Sequence, residues 1–211
     1  VGKESPAWRD QALTNLLLNL QNGQHQLSVR ALKYDKKSRS VVGREVQIQP
    51  MPAAPSGSRY HIAVPRIELA GFAAGPALDS NNYLFDRILL QNPQVKLEFP
   101  KNEKGQTTPK LRSLNLYPYL DPYLNSIRVG ELTLSGASLQ IAGGRKPLEQ
   151  KNIQLTFRDI YIAADQPPQN LLHSREFWIK TYGLSHLSAD NHYRFTADTL
   201  SFFSRDNALR L

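Results

Sequence analysis

The side chains that could bind a metal or carry out catalysis are few, and their spacing matches no familiar site. The histidines are His25, His61, His173, His186 and His192. None of them forms the i, i+4 pair or the His-x-Glu spacing that zinc sites use. The chain has no cysteine, which excludes disulfides, thiolate metal ligands and cysteine nucleophiles. We therefore expect no resident metal and no cofactor.

Nucleophile and phosphate-binding motifs are also missing. There is no Gly-x-Ser-x-Gly, and the Gly-Gly-Arg-Lys run at 143–146 is more simply explained as a turn between two strands than as a phosphate loop. The acids Asp121, Glu131, Asp159 and Asp165 could be proposed as catalytic pairs, but nothing in the sequence positions any two of them together. We expect the protein not to be an enzyme.

The charge balance favours acidic partners. The 211 residues include 26 Lys plus Arg and 18 Asp plus Glu, a net charge of +8, which attracts anionic headgroups, polysaccharide or nucleic acid. The basic rim candidates are Lys36, Lys37, Arg39, Arg145 and Lys146. They could meet anionic headgroups, at about 1 kcal/mol per contact, or simply be solvated turn residues that protect sheet edges. Nucleic acid is not expected, because aromatic residues are not interleaved with the basic ones.

The elements that would position these residues are mostly strands. From Leu27 to Leu211, apolar residues alternate with polar ones in short runs separated by Gly, Pro, Asn or Ser. This period of two is typical of antiparallel strands with one buried face, and about ten such strands are predicted. The whole chain, 1–211, is expected to be one β-rich domain with strand repeats at 25–99 and 126–211, and to be part of a larger protein.

Two segments depart from the strand pattern. Residues 6–21 carry apolar side chains at four-residue steps between a Ser-Pro start and Gly23, which predicts an amphipathic helix. Residues 100–124 begin as a polar loop and contain Pro118 and Pro122, which disfavour a strand interior and a straight helix. A short, broken helical insert is expected there.

An internal repeat relates residues 86–97 to residues 130–141. Apolar positions coincide: Ile88 with Leu132, and Leu90 with Leu134. A third copy occupies 198–211. We interpret each copy as a β-hairpin, and such hairpins must stack side by side to bury their apolar face.

These repeats resemble the AsmA-like proteins of the bacterial envelope, notably the large versions found in Bacteroidetes. The resemblance is carried by apolar alternation at 127–141 and 193–211, and by 62–72 followed by 84–99. It implies a long sheet curled into an apolar groove, a periplasmic location, and a tether to the inner membrane by an N-terminal helix outside this sequence. It also implies carriage of lipid between envelope membranes, without catalysis, and contacts with other envelope proteins or further repeats.

The predicted site is the apolar face itself. Its candidate residues are Val64, Ile67, Leu69, Ile88, Leu90, Val95, Leu97, Leu132, Leu134, Leu139, Ile141, Leu155, Phe157, Leu200 and Phe202. In an open groove they would hold acyl chains at about 0.8 kcal/mol per buried CH₂. In a closed sandwich the same residues would be core. The alternatives to lipid carriage are therefore a structural or adhesive sandwich module without a small ligand, and a domain that binds anionic glycans through its basic turns.

Overall fold

A computed structural model describes most of the chain between residues 12 and 210. The described ranges are 12–19, 25–51, 59–72, 81–98, 125–142, 148–163, 174–187, 192–205 and 208–210. Every regular element in these ranges is a β-strand, so the predicted mostly β fold is confirmed.

Eleven strands form one sheet. They are β1 Ala12–Asn19, β2 His25–Asp35, β3 Ser40–Pro50, β4 Arg59–Ala70, β5 Asn82–Gln91, β6 Gln94–Glu98, β7 Ser126–Ala142, β8 Leu148–Ala163, β9 Glu176–Leu187, β10 Arg194–Arg205 and β11 Ala208–Arg210. The strands follow one another across the sheet in chain order, with β1 at one edge and β11 at the other.

Strands β5 and β6 share one position in the sheet. Both pair antiparallel with β4 on one side and parallel with β7 on the other. All other neighbouring strands are antiparallel. The sheet is therefore an antiparallel meander interrupted by one parallel junction, at which β5 and β6 run in the same direction as β7.

The repeat is real, but its first two copies are not hairpins. Ile88 and Leu132 are direct partners across the parallel junction, as are Leu90 and Leu134. The two copies thus lie side by side in register, and each continues past its Asn or Gly without reversing direction. The hairpin interpretation was wrong because the apolar alternation on either side of Asn92 or Gly136 is the same whether the chain reverses there or continues through a single left-handed residue.

The predicted helix at 6–21 is wrong over Ala12–Asn19, which form strand β1. β1 pairs along its length with β2, so its backbone groups find partners in the sheet without a helix. Leu13, Leu16 and Leu17 fit a helical stripe, and this is why the pattern misled. The remaining residues of that segment lie outside the described ranges, as does the whole of the predicted insert at 100–124.

Among the residues that the structure describes, no helix is long and apolar enough to cross a membrane.

A row of residues with left-handed backbone crosses the sheet, and we call it the first row. Its members are Asn15, Glu45, Asn92, Gly136, Asn152 and Gly183, with φ between 49° and 67°. In β1, Thr14 and Leu16 pair with β2, whereas Asn15 between them is left out of the ladder. Each member is thus a local interruption of the ladder. The register shifts there between β7 and β8 but is the same on both sides of the row in the other pairs, and a single left-handed residue turns the strand that carries it.

A second row lies six residues away along β3 and β7, at Arg39, Gly71, Asp86, Gly130 and Asp159. Arg39, Gly71 and Asp159 have positive φ, and the ladders skip Asp86 and Gly130. At each row two consecutive residues fall on the same face of the sheet, so the inside–outside alternation shifts by one position. The shift explains why apolar residues are even-numbered at Ile88 and Leu90 but odd-numbered at Phe85 and Val95.

Candidate functional site

The register brings all of the predicted apolar candidates to one face of the sheet. Five of them form a continuous line of direct partners: Ile67 with Leu90, Leu90 with Leu134, Leu134 with Leu155. From Leu155 the line continues through Ile179 to Phe202. Parallel lines run through Leu69, Ile88, Leu132 and Phe157, through Val95 and Leu139, and through Leu97 and Ile141. Val64 pairs with Val46 and Leu200 with Thr181 on the same face. We call this surface the apolar face.

The apolar face continues without a break across both rows. A Cβ placed on Gly43 would lie 2.5 Å from Ile67 Cγ2 and 3.3 Å from Val46 Cγ2, so side chains on the two sides of the first row meet there. At the second row, Phe85, Val129 and Ile160 form a buried cluster. Partly buried apolar side chains from both sides of the row pack against it, among them Tyr83, Ile127, Ile162, Ile88, Leu132 and Phe157.

Burial is concentrated along the two rows. Val29, Val64 and Ala137 are buried beside the first row, and Val41, Phe85, Val129 and Ile160 are buried beside the second. Most other side chains of the apolar face are only half-buried. A flat sheet would expose its face evenly, so this distribution fits strands that bend toward the apolar face at each row.

Aromatic rings extend the apolar face at one end of the strands. Phe72 stacks on Phe85 and Tyr83, with ring centroids 5.5 and 6.2 Å apart, and meets the ring of Tyr34 edge-on. A second aromatic series, Phe157, Phe177 and Phe202, crosses β8 to β10 with centroid distances of 5.9 and 5.6 Å. Both series add apolar surface and no charge.

A buried histidine, His25, lies on the apolar face at the opposite end of the strands from Phe72. The His25 ring lies 5.3 Å from the ring of Tyr60, and its Nε2 accepts a hydrogen bond from the Tyr60 backbone N–H at 3.4 Å. Burial, with a smaller contribution from the charge of His61, lowers the pKa of His25 below 6.5. His25 is therefore neutral at pH 7 and is compatible with an uncharged surface.

The opposite surface, which we call the polar face, carries the ion pairs. Arg158 bridges Glu131 at 3.4 Å and Glu176 at 3.9 Å, and Lys96 pairs with Glu98 at 2.7 Å. The Lys96 ammonium lowers the pKa of the Glu98 carboxyl through this hydrogen bond. These exposed pairs each stabilise the fold by less than about 1 kcal/mol, but they make this face unsuitable for acyl chains.

Three of the basic rim candidates lie in the β2–β3 turn. Asp35 organises this turn, because its carboxylate accepts hydrogen bonds from the backbone N–H groups of Lys37 and Ser38 at 2.9 and 3.3 Å. Hydrogen bonds from Ser38 and Lys37 lower the pKa of Asp35. The Arg39 guanidinium donates a hydrogen bond to the Gly71 carbonyl at 3.0 Å, which links the β2–β3 turn to the end of β4.

Lys36 and Lys37 are exposed and form no ion pair with another described residue. Arg145 and Lys146 lie outside the described ranges.

Within the described ranges, no three His, Cys, Asp or Glu side chains are grouped so that they could hold a metal ion. His25 begins β2 and His61 lies near the start of β4, with β3 between these two strands. His186 belongs to β9, His192 is exposed, and His173 lies outside the described ranges.

Sequence reasoning missed the two rows, although a signal for them exists. Each row falls where two adjacent polar or small residues interrupt the alternation, as in Arg44-Glu45, Asp86-Arg87 and Gly130-Glu131. Asn and Gly, which tolerate left-handed backbone best, supply five of the six members of the first row. A search for phase shifts in the alternation would have found them.

No protein-family model matches the chain, and no curated protein matches it.

Proposed function

We propose that the apolar face lines an open trough that holds lipid acyl chains, and that the protein is a non-enzymatic, AsmA-like component of the bacterial envelope. The observation that carries the proposal is that the apolar face spans the sheet continuously while most of its side chains stay half-exposed. Acyl chains need a continuous apolar surface and no directed polar contact.

The two rows support a trough that runs across the strands. At each row the polar face carries two consecutive residues where the apolar face carries none, as with Asp86 and Arg87 between Phe85 and Ile88. The polar face is therefore the longer, outer side of each bend. Since both rows cross several neighbouring strands, the trough axis lies perpendicular to the strands.

The length of such a trough suits lipid chains. Ten strand positions at about 4.8 Å each give nine spacings, or about 43 Å. One leaflet of a bilayer is about 15 Å deep in its hydrocarbon part, so the trough is nearly three times as long as one acyl chain needs. Chains could slide along it while headgroups stay near water at the open side, consistent with passive lipid movement between membranes in the periplasm.

Native mass spectrometry of the purified protein, followed by lipid extraction, tests the proposal. We expect phospholipid to co-purify with the wild-type protein and with Thr133→Asp, which places the charge on the polar face. Leu134→Asp, one residue further on, should lose the lipid because a carboxylate enters the apolar face. Leu155→Gln is a milder second variant, and circular dichroism checks that each variant is folded.

An apo mass for the wild type, with no uptake of a fluorescent acyl probe, would refute lipid carriage. Equal lipid loss in Thr133→Asp and Leu134→Asp, both folded, would refute the assignment of the apolar face.

A further inference from the structure

The polar face carries a depression that the lipid proposal does not use. It lies over β8, β9 and β10 and has a volume of about 460 Å³, within the usual range for small-molecule sites. Its lining side chains on the polar face are Gln154, Thr156, Trp178, Lys180, Ser201 and Phe203. Ile179 and Phe202, whose side chains lie on the apolar face, complete the lining.

The register arranges these six side chains as two adjacent lines across three strands. Trp178 pairs with Thr156 on one side and Phe203 on the other, and these three form the first line. Lys180 pairs with Gln154 and Ser201, and these form the second line. One line is thus mainly aromatic, and the other consists of a cation between an amide and a hydroxyl.

The aromatic line is not explained by packing of the apolar core, because it lies on the opposite face. The rings of Trp178 and Phe203 lie 5.0 Å apart with an interplanar angle of 30°, and both side chains remain half-exposed. The Arg158 guanidinium covers part of Trp178 at 4.7 Å from the ring centroid and fixes its orientation. The result is an apolar wall on the face that carries the ion pairs.

The cation in the second line is available for a ligand. Lys180 forms no ion pair with any residue in the described ranges, and its ammonium lies 5.0 Å from the centroid of Tyr182. Its partners across the strands, Gln154 and Ser201, are neutral. By contrast, Arg158 beside it is paired with two glutamates.

We propose that this depression binds an acidic saccharide. A sugar ring presents an apolar face of C–H groups, which suits the wall of Trp178 and Phe203. Its hydroxyls can donate to and accept from Gln154, Thr156 and Ser201, and a uronate carboxylate can form a charge-assisted hydrogen bond with Lys180. A nucleic acid fits less well, because a strand needs several cations along its backbone and the depression offers one.

Isothermal titration calorimetry of the whole chain with a tetramer of galacturonic acid tests the site, with a neutral galactose tetramer as the comparison. We expect the wild type to prefer the acidic tetramer. Lys180→Gln should weaken its binding about tenfold and leave the neutral tetramer unaffected. The matched control is Lys151→Gln, which removes an exposed, ion-paired cation of the same face outside the depression and should change nothing.

Trp178→Ala should weaken the binding of both tetramers. Ser201 is exposed, so Ser201→Asp should abolish binding of the acidic tetramer while the fold is retained. Circular dichroism and lipid content should stay unchanged, which separates this site from the trough. No binding of the acidic tetramer, or equal losses in Lys180→Gln and Lys151→Gln, would overturn the proposal. So would Trp178-dependent binding of an oligouridylate in place of the sugar.

Discussion

Replacing Gly136 by alanine tests whether β7 bends at the first row. Gly136 has φ +67°, and a Cβ there would overlap Asn92 Oδ1. Left-handed backbone costs a residue with a Cβ about 1–2 kcal/mol. The overlap should add little, because the exposed Asn92 side chain can rotate away. We expect Gly136→Ala to lower the free energy of unfolding by about 1–2 kcal/mol.

Alanine substitutions at two other glycines distinguish the cost of left-handed backbone from the cost of steric overlap. Gly183 has φ +63° and no atom within 4 Å of a Cβ, so Gly183→Ala reports the backbone cost alone. Gly130 has no left-handed backbone, but a Cβ there would lie 2.7 Å from the Asp86 carbonyl oxygen. That backbone oxygen cannot rotate away, so Gly130→Ala should cost about 1–3 kcal/mol by overpacking alone.

Urea unfolding followed by circular dichroism measures the three values, provided that each transition is two-state. If Gly136→Ala proves as stable as the wild type, Gly136 does not have left-handed backbone. The first row would then not cross β7, and the bend that we infer from it would be refuted.

Three further predictions concern burial, charge and the sheet edge. Because the pKa of His25 lies below 6.5 in the folded state, the unfolded chain binds more protons, and the free energy of unfolding should fall as pH drops below about 6.5. If the dependence of that free energy on pH between 7 and 5 is unchanged in His25→Gln, this prediction is wrong. Ile160→Ala should lower the free energy of unfolding by about 2–4 kcal/mol, whereas Glu131→Gln should lower it by less than about 1 kcal/mol. Urea unfolding measures both values, and equal losses of stability would contradict the assignment of the two faces. Leu17 is 60% exposed on the edge strand β1, so Leu17→Lys should reduce self-association in light scattering; unchanged association would show that this edge takes no part in it.

The sequence predicted the faces better than the elements. Apolar alternation placed Ile67, Leu90, Leu134 and Leu155 on a common surface, because side chains in a strand point alternately to opposite faces. It could not show whether the chain reverses at Asn92 or continues through it with left-handed backbone, since both conformations tolerate Asn and both leave apolar residues on either side. That distinction depends on whether neighbouring strands pair on both sides of the residue, and pairing is a tertiary property.

The other errors have the same origin. The leucines of β1 fit a helix and a strand interrupted by one left-handed residue equally well, and only pairing with β2 selects the strand. The parallel junction between β5 and β7 was not predicted, because short runs of apolar alternation do not show whether neighbouring strands run in the same or in opposite directions. The depression around Trp178 was missed because its six side chains come from three strands and meet only through the register.

A single-cysteine scan along β7 tests the central claim most directly, and the absence of native cysteine makes it free of background. Each variant from 129 to 141 would carry a bimane fluorophore and be mixed with phospholipid bearing a nitroxide on its acyl chain. We expect strong quenching at Val129, Leu132, Leu134, Ala137, Leu139 and Ile141, and weak quenching between them, with two consecutive weak positions at 130 and 131 and again at 135 and 136. Uniform quenching, or none at any position, would contradict a lipid-holding apolar face that bends at Gly136.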